Sequence, residues 1–162
     1  MTSGTHAVPP LPVTYPRSAA MTPPSGSGAN ATLSFTYQDA SNANNLQTAW
    51  ALINTAIDGR YACYVAYYRP GNRVYLFPDN GDGTRASSVV LTGANTVRNR
   101  RCTVSAQGSS VVISGRQMTV KLNISLNPAF VGSKGVWTAV QTMGGAQTST
   151  WQASGAWQVP AN

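Results

Sequence analysis

Side chains able to do acid–base or nucleophilic chemistry are few in this sequence and lie far apart. There is one histidine, His6, in a proline-rich opening segment; the acids are Asp39, Asp58, Asp79 and Asp82, with no glutamate; the two cysteines are Cys63 and Cys102. General acid–base catalysis needs a histidine, or carboxyl groups with shifted pKa values, gathered in a pocket. Glycoside cleavage needs two carboxyl groups facing each other across a cleft. Three of the aspartates, Asp39, Asp79 and Asp82, fall in turn-like sequence, where Asp serves local hydrogen bonding. A Ser–His–Asp arrangement has no credible histidine, and a catalytic cysteine has no partner. The expectation is a protein that is not an enzyme.

The run Asp79-Asn80-Gly81-Asp82-Gly83-Thr84 clusters oxygen ligands like the start of a calcium loop, with Asp79 and Asp82 as the ligands. It lacks the later bidentate Glu, and as an Asn-Gly and Asp-Gly turn it needs no metal. No cofactor is therefore expected, calcium being the one weak candidate. Cys63 and Cys102 each sit in a strand-like segment, with no CxxC motif and no nearby histidine, which argues against zinc or redox chemistry. Bridged, they would close a loop of about 40 residues and stabilise the fold by roughly 4 kcal/mol on the chain-entropy model. The alternative is a pair of buried free thiols. A bridge implies an oxidising compartment, hence a secreted or cell-surface protein.

Aromatic side chains carry the sharper expectation. If Cys63, Val65 and Tyr67 point inward, Tyr64 and Tyr68 point outward. Across a hairpin, Val74 and Leu76 inward leave Tyr75 and Phe77 outward. Tyr64, Tyr68 and Tyr75 then form a flat strip with Arg69, Asn72 and Arg73 at its rim, and Trp50 is a further candidate. Sugar rings present apolar C–H faces that stack on such rings, while rim groups bond the hydroxyls. The bland alternative is that a second sheet or the tail covers the strip. Trp137 and Trp157 read as core, and Trp151 as exposed.

Eleven Lys and Arg against four Asp give a formal charge of +7. Such an excess attracts anionic partners over a Debye length of about 8 to 10 Å. Only Arg98, Arg100 and Arg101 cluster, which suits a patch for an anionic polymer and gives little support to a specific nucleic-acid groove. Charged residues are only 9% of the chain, so the surface must rest on hydroxyls and amides, as in extracellular modules.

The elements that must position these residues read as strands. Residues 1–30, with Pro9, Pro10, Pro12, Pro16, Pro23 and Pro24, have linker composition and are expected to form an extended arm ahead of a domain over 31–160. Period-two alternation marks Leu33, Phe35 and Tyr37, and most clearly Met118, Val120, Leu122, Ile124 and Leu126. Further strands are expected at 46–54, 61–68, 73–77, 88–91, 101–105, 110–114, 136–143 and 153–159, with a hairpin turn at Arg69-Pro70-Gly71-Asn72. Eight to ten short strands without an amphipathic helix predict an all-β, antiparallel sandwich of immunoglobulin-like or jelly-roll type, stapled by one disulfide. No stretch approaches a membrane span, so no membrane insertion is expected. The opening Met1-Thr2-Ser3-Gly4 has no apolar signal-peptide run, which reads as a module cut from a longer secreted protein.

The segments PSGSG (24–28), LSFTYQD, LINTAIDGRYACYVAYYRPGNRVYLFPDNG, NRRCTVSAQGSSV, MTVKLNISLNPAFVGSKGVW and GAWQVP together resemble an immunoglobulin-like module that repeats in large secreted proteins of soil-dwelling bacteria. The resemblance spans about residues 22–160, with ACYVAYYRPGNRVYLF and the NPAF segment its most specific parts. It implies the fold, the disulfide and an extracellular setting. The chain departs from that pattern in its basic charge and in Trp50, where a polar residue is usual.

The leading expectation is a non-catalytic extracellular module that binds polysaccharide or another cell-surface polymer through stacked aromatics. The competing one is a structural spacer that self-associates through its proline-rich arm. An anionic polymer held by Arg98, Arg100 and Arg101 would differ from both, because its affinity would fall steeply with salt.

Overall fold

Alternation of apolar and polar side chains runs through most of the chain, and the computed structural model, which describes residues 14–161, turns it into strands almost throughout. In chain order these are β1 (Arg17–Thr22), β2 (Ser25–Ser27), β3 (Asn30–Gln38), β4 (Leu46–Asn54), β5 (Cys63–Tyr68), β6 (Arg73–Leu76), β7 (Ser87–Val90), β8 (Thr96–Arg98), β9 (Cys102–Ser114), β10 (Gln117–Leu126), β11 (Gly132–Thr142) and β12 (Gln152–Val159). They build a sandwich of two sheets. One has five strands in the order β1-β3-β10-β9-β8; the other has seven, β2-β12-β11-β4-β5-β6-β7. Neighbours are antiparallel apart from β2 and β12, which run parallel.

Each sheet buries one face. On β10, Met118, Val120, Leu122, Ile124 and Leu126 are buried, and on β3 Ala31, Leu33, Phe35 and Tyr37 do the same. The intervening Thr, Ser, Lys and Asn side chains of these two strands turn to solvent, as one-sided antiparallel sheets require. Opposite them lie Ala49, Ala51 and Ile53 of β4, Val65 and Tyr67 of β5, Val74 and Leu76 of β6, and Val136 and Val140 of β11. Tyr37 reaches across this layer and donates its hydroxyl hydrogen to the Trp50 carbonyl at 3.1 Å. Its burial raises the phenol's pKa above the ordinary value. The Cys63–Cys102 disulfide joins β5 to β9, one strand from each sheet, with 5.6 Å between the Cα atoms. It is the inter-sheet staple that the sequence led us to expect.

Four features differ from the sequence reading. Residues 17–27, assigned there to the arm, form β1 and β2; Met21 is buried, and the chain changes sheets at Pro23-Pro24. The segments 101–105 and 110–114 are one 13-residue strand, β9, bulged where its pairing with β10 shifts register. There the Ser109 hydroxyl donates to the Ser105 carbonyl at 2.6 Å and accepts from the Asn123 N–H at 2.8 Å, standing in for a ladder bond. The short strand β8 was not foreseen. Trp137 belongs to the outward row of β11 and is half-buried, whereas Trp157 is core, its indole N–H donating to the Gly28 carbonyl at 2.9 Å.

Candidate functional site

The outer face of the seven-stranded sheet collects the aromatic candidates. Inward Cys63, Val65 and Tyr67 turn Tyr64 and Tyr68 outward on β5, and inward Val74 and Leu76 turn Tyr75 outward on β6, with Phe77 continuing its row. The register sets Trp50 beside Ala66 and Ala66 beside Tyr75, while Thr48 lies beside Tyr68 and Leu52 beside Tyr64. Tyr64, Tyr68, Tyr75 and Trp50 are all half-buried on this outer face, turned away from the opposite sheet. Small side chains between large ones leave a groove. Ala66 and Thr48 floor it, Tyr68, Tyr75 and Phe77 wall it, Gly83 and Ala86 close one side, and its volume is about 270 Å³. Gly83 is needed for that closure, since a Cβ there would lie 2.8 Å from the Phe77 ring.

The strip is not a flat row. The Tyr64 ring stacks on Phe77 with centroids 3.9 Å apart and planes 11° from parallel, and Trp151 meets Tyr64 edge-on at 5.9 Å. One face of Tyr64 is thus already taken, and burial raises its pKa. Tyr64 props Phe77, and the open stacking surface is Tyr68, Tyr75 and Phe77 with Trp50 alongside. The two rim arginines separate. Arg69 donates to the carbonyls of Leu46 at 2.6 Å and Asn44 at 2.7 Å, clamping the 3-10 turn Ala43–Asn45, so its guanidinium is committed to the fold. Arg73 is exposed and donates to the Ser88 hydroxyl at 3.1 Å. Asn72 holds the hairpin turn in a left-handed conformation (φ 50°) and accepts from the Tyr67 hydroxyl at 2.8 Å.

The structure also divides the basic triplet. Arg98 and Arg100 line a second cleft, of about 780 Å³, between the open sheet edges beside the disulfide, and Arg85 joins them there. Arg101 is turned away from it; its guanidinium lies 5.3 Å from the Tyr61 ring centre, and its side chain is 23% exposed against 88% for Arg100. Asp79 sits 3.9 Å from both Arg100 and Arg101. Asp82 accepts from the Thr84 N–H at 3.0 Å and faces Arg85 at 3.6 Å. The loop carboxylates considered for calcium therefore face guanidinium groups, and no three His, Cys, Asp or Glu side chains gather to hold a metal among the described residues. His6 lies outside those residues.

The other two acids are also locally engaged. Asp58 pairs with Arg60 at 3.0 Å. Asp39 is buried, which opposes its charge, yet it accepts from the Asn42 and Ser41 N–H groups and from the Asn45 and Ser41 side chains. Together these bonds hold its pKa below the ordinary carboxylate value. Lys134 is buried over the Phe130 ring at 4.1 Å; burial first, then the charge of Arg101, lowers its pKa.

Sequence reasoning missed Asn99 and Arg85. The Asn99 amide donates to the carbonyls of Ala62 at 2.9 Å and Phe77 at 3.0 Å, and its oxygen accepts from the N–H groups of Arg101 at 2.7 Å and Cys102 at 3.0 Å. It stitches the turn after β8 to the strand carrying the aromatic face. Its place in VRNRRC, next to the disulfide cysteine, was the one available signal.

No family model matches the chain, and no curated protein matches it. Among solved structures, it is similar to a chain from work on the structural basis of T cell specificity and activation by the bacterial superantigen toxic shock syndrome toxin-1. The likeness is 10% identity over 90% of this chain and 100% of that one, with a TM-score of 0.39, and it carries no argument about function.

Proposed function

We propose that this is a non-catalytic extracellular module that binds polysaccharide through the outer face of its seven-stranded sheet. One observation carries the reading: the half-exposed aromatic groove of Tyr68, Tyr75 and Phe77, with Trp50 alongside, standing on a rigid sheet. Rings fixed by a sheet stack on sugar C–H faces at little entropic cost, and Thr48 at the floor and Arg73 at the margin supply hydrogen bonds. A non-catalytic role is supported by the local engagement of all four aspartates. The inter-sheet disulfide supports secretion into an oxidising space.

The test is retention on a panel of insoluble and soluble polysaccharides, read also by tryptophan emission, since Trp50, Trp137 and Trp151 all belong to this face. Tyr75→Ala should abolish retention while leaving the unfolding transition in place. Failure of the unaltered protein to be retained on any polymer would sink the reading. A second reading, an immunoglobulin-like spacer in a string of modules, is favoured by the strand order. β1-β3-β10-β9 facing β12-β11-β4-β5-β6 follows the ABED and GFCC′C″ sheets of variable-type immunoglobulin domains. The spacer predicts no ligand at all.

A further inference from the structure

The aromatic groove and the basic cleft share a wall. Phe77, Gly83 and Ala86 line the groove, and their chain neighbours Pro78, Asp79, Arg85 and Ser87 line the cleft. The 77–87 segment thus lies between a stacking surface and a positively charged hollow. Within the cleft, Arg100 faces Asp79 at 3.9 Å, which Arg101 also shares, and Arg85 faces Asp82 at 3.6 Å, just outside the lining, so these guanidinium groups outnumber the carboxylates beside them and Arg98 adds another. Among the described residues no carboxylate lies within 4.0 Å of Arg98. The side chains of Arg100 and Arg85 are 88% and 79% exposed, so both can swing to meet an incoming anion. Asn99, Asn127 and Thr103 add polar groups to the lining.

We infer that the polymer taken by the groove is an acidic polysaccharide. Its rings lie on Tyr68, Tyr75 and Phe77, and its carboxylates cross the 77–87 segment into the cleft, where Arg98, Arg100 and Arg85 receive them. This rests on the aromatic reading and adds the substrate class to it. A planar guanidinium pairs with a carboxylate through two parallel hydrogen bonds, which makes arginine suited to such a group. A chain that stacks and pairs at once binds with a gain from each contact, because the second engagement is intramolecular.

The experiment compares binding of polygalacturonate, alginate and hyaluronate with binding of the same three polymers after methyl esterification of their carboxyl groups, at about 50 and about 200 mM salt. The acid forms should bind more tightly than their esters, and their affinity should fall roughly tenfold across that salt range, as expected when about two ion pairs are screened. The double variant R98Q/R100Q, altered at two exposed positions, should bring acid-form binding down to the level of the ester. Equal binding of acid and ester forms, with no response to R98Q/R100Q, overturns this inference and leaves the aromatic reading standing. Acid-form binding that survives Tyr75→Ala and is lost in R98Q/R100Q overturns the aromatic reading beneath it. Binding of neither form by the unaltered protein overturns both.

Discussion

Replacing Asn99 should damage the fold out of proportion to the size of the side chain. Its amide makes four hydrogen bonds of 2.7 to 3.0 Å, two donated to the residues flanking β5 and β6 and two accepted from Arg101 and Cys102 at the start of β9. At a net 0.5–1.5 kcal/mol per bond, Asn99→Ala should cost about 3 kcal/mol, because the carbonyls of Ala62 and Phe77 and the N–H groups of Arg101 and Cys102 lose their partner together. In a chain of this length that lowers the melting temperature by roughly 10 °C. Asn99→Asp is the sharper perturbation. It keeps the shape and the acceptor oxygen, but sets a carboxylate oxygen against two carbonyls that now accept at 2.9 and 3.0 Å. At neutral pH it should be at least as destabilising as the alanine variant. It should regain stability as the pH falls, because facing carbonyls raise the folded-state pKa and the protonated form can donate again. Urea denaturation of the three proteins at pH 7 and at mildly acidic pH measures this. An Asn99→Asp variant within 1 kcal/mol of the parent at pH 7, flagged by about equal midpoints, would refute the reasoning.

Removing both cysteines, Cys63→Ala with Cys102→Ala, releases a loop with a sequence separation of 39 and should cost about 4 kcal/mol, seen as a lower urea midpoint than that of the oxidised parent. Asp39 should make the fold acid-sensitive. Its folded pKa lies below the unfolded one, so its contribution is present above the ordinary carboxylate pKa and is lost as the pH falls through the folded value; Asp39→Asn should flatten that part of the stability–pH curve. Gly155→Ala sets a Cβ against Met21 and 2.6 Å from the Pro24 carbonyl oxygen, and should cost about 2 kcal/mol through strain between β12 and the β1–β2 crossing, measured by thermal denaturation. Gly83→Val should push Phe77 into the groove and weaken polysaccharide retention, with little change in melting temperature, because Gly83 lies on an exposed turn.

The alternation in Met118–Leu126 and Leu33–Tyr37 was legible because every second side chain there is apolar and every other one is polar, so only one register buries the right set. The outward placement of Tyr64, Tyr68 and Tyr75 followed from the same parity once Cys63 was set inward. What escaped was decided by contacts that parity does not encode. β1 and β2 are short, are flanked by Pro16, Pro23 and Pro24, and owe their strand geometry to edges offered by β3 and β12. Trp137 reads as core by hydrophobicity but occupies the outward parity of β11. Arg69 looks like a free rim cation until the carbonyls of Leu46 and Asn44 appear within its reach. Arg85 enters the cleft only because the loop after β6 folds back, a long-range placement that local sequence does not specify.

The parallel pairing of β2 with β12 bears on how the module responds to tension. β2 leads in from the chain's amino side and β12 leads out on its carboxyl side. A pull applied to the two flanks in opposite directions loads β1 against β3 first, and once β1 is released it draws β2 and β12 past one another along their lengths. The rungs between Ser25–Ser27 and Ala156–Gln158, together with the Gly28-to-Gln158 and Ala156-to-Pro24 bonds of 3.1 Å, are then loaded in shear and yield as a group, whereas an antiparallel pair pulled from one end unzips one bond at a time.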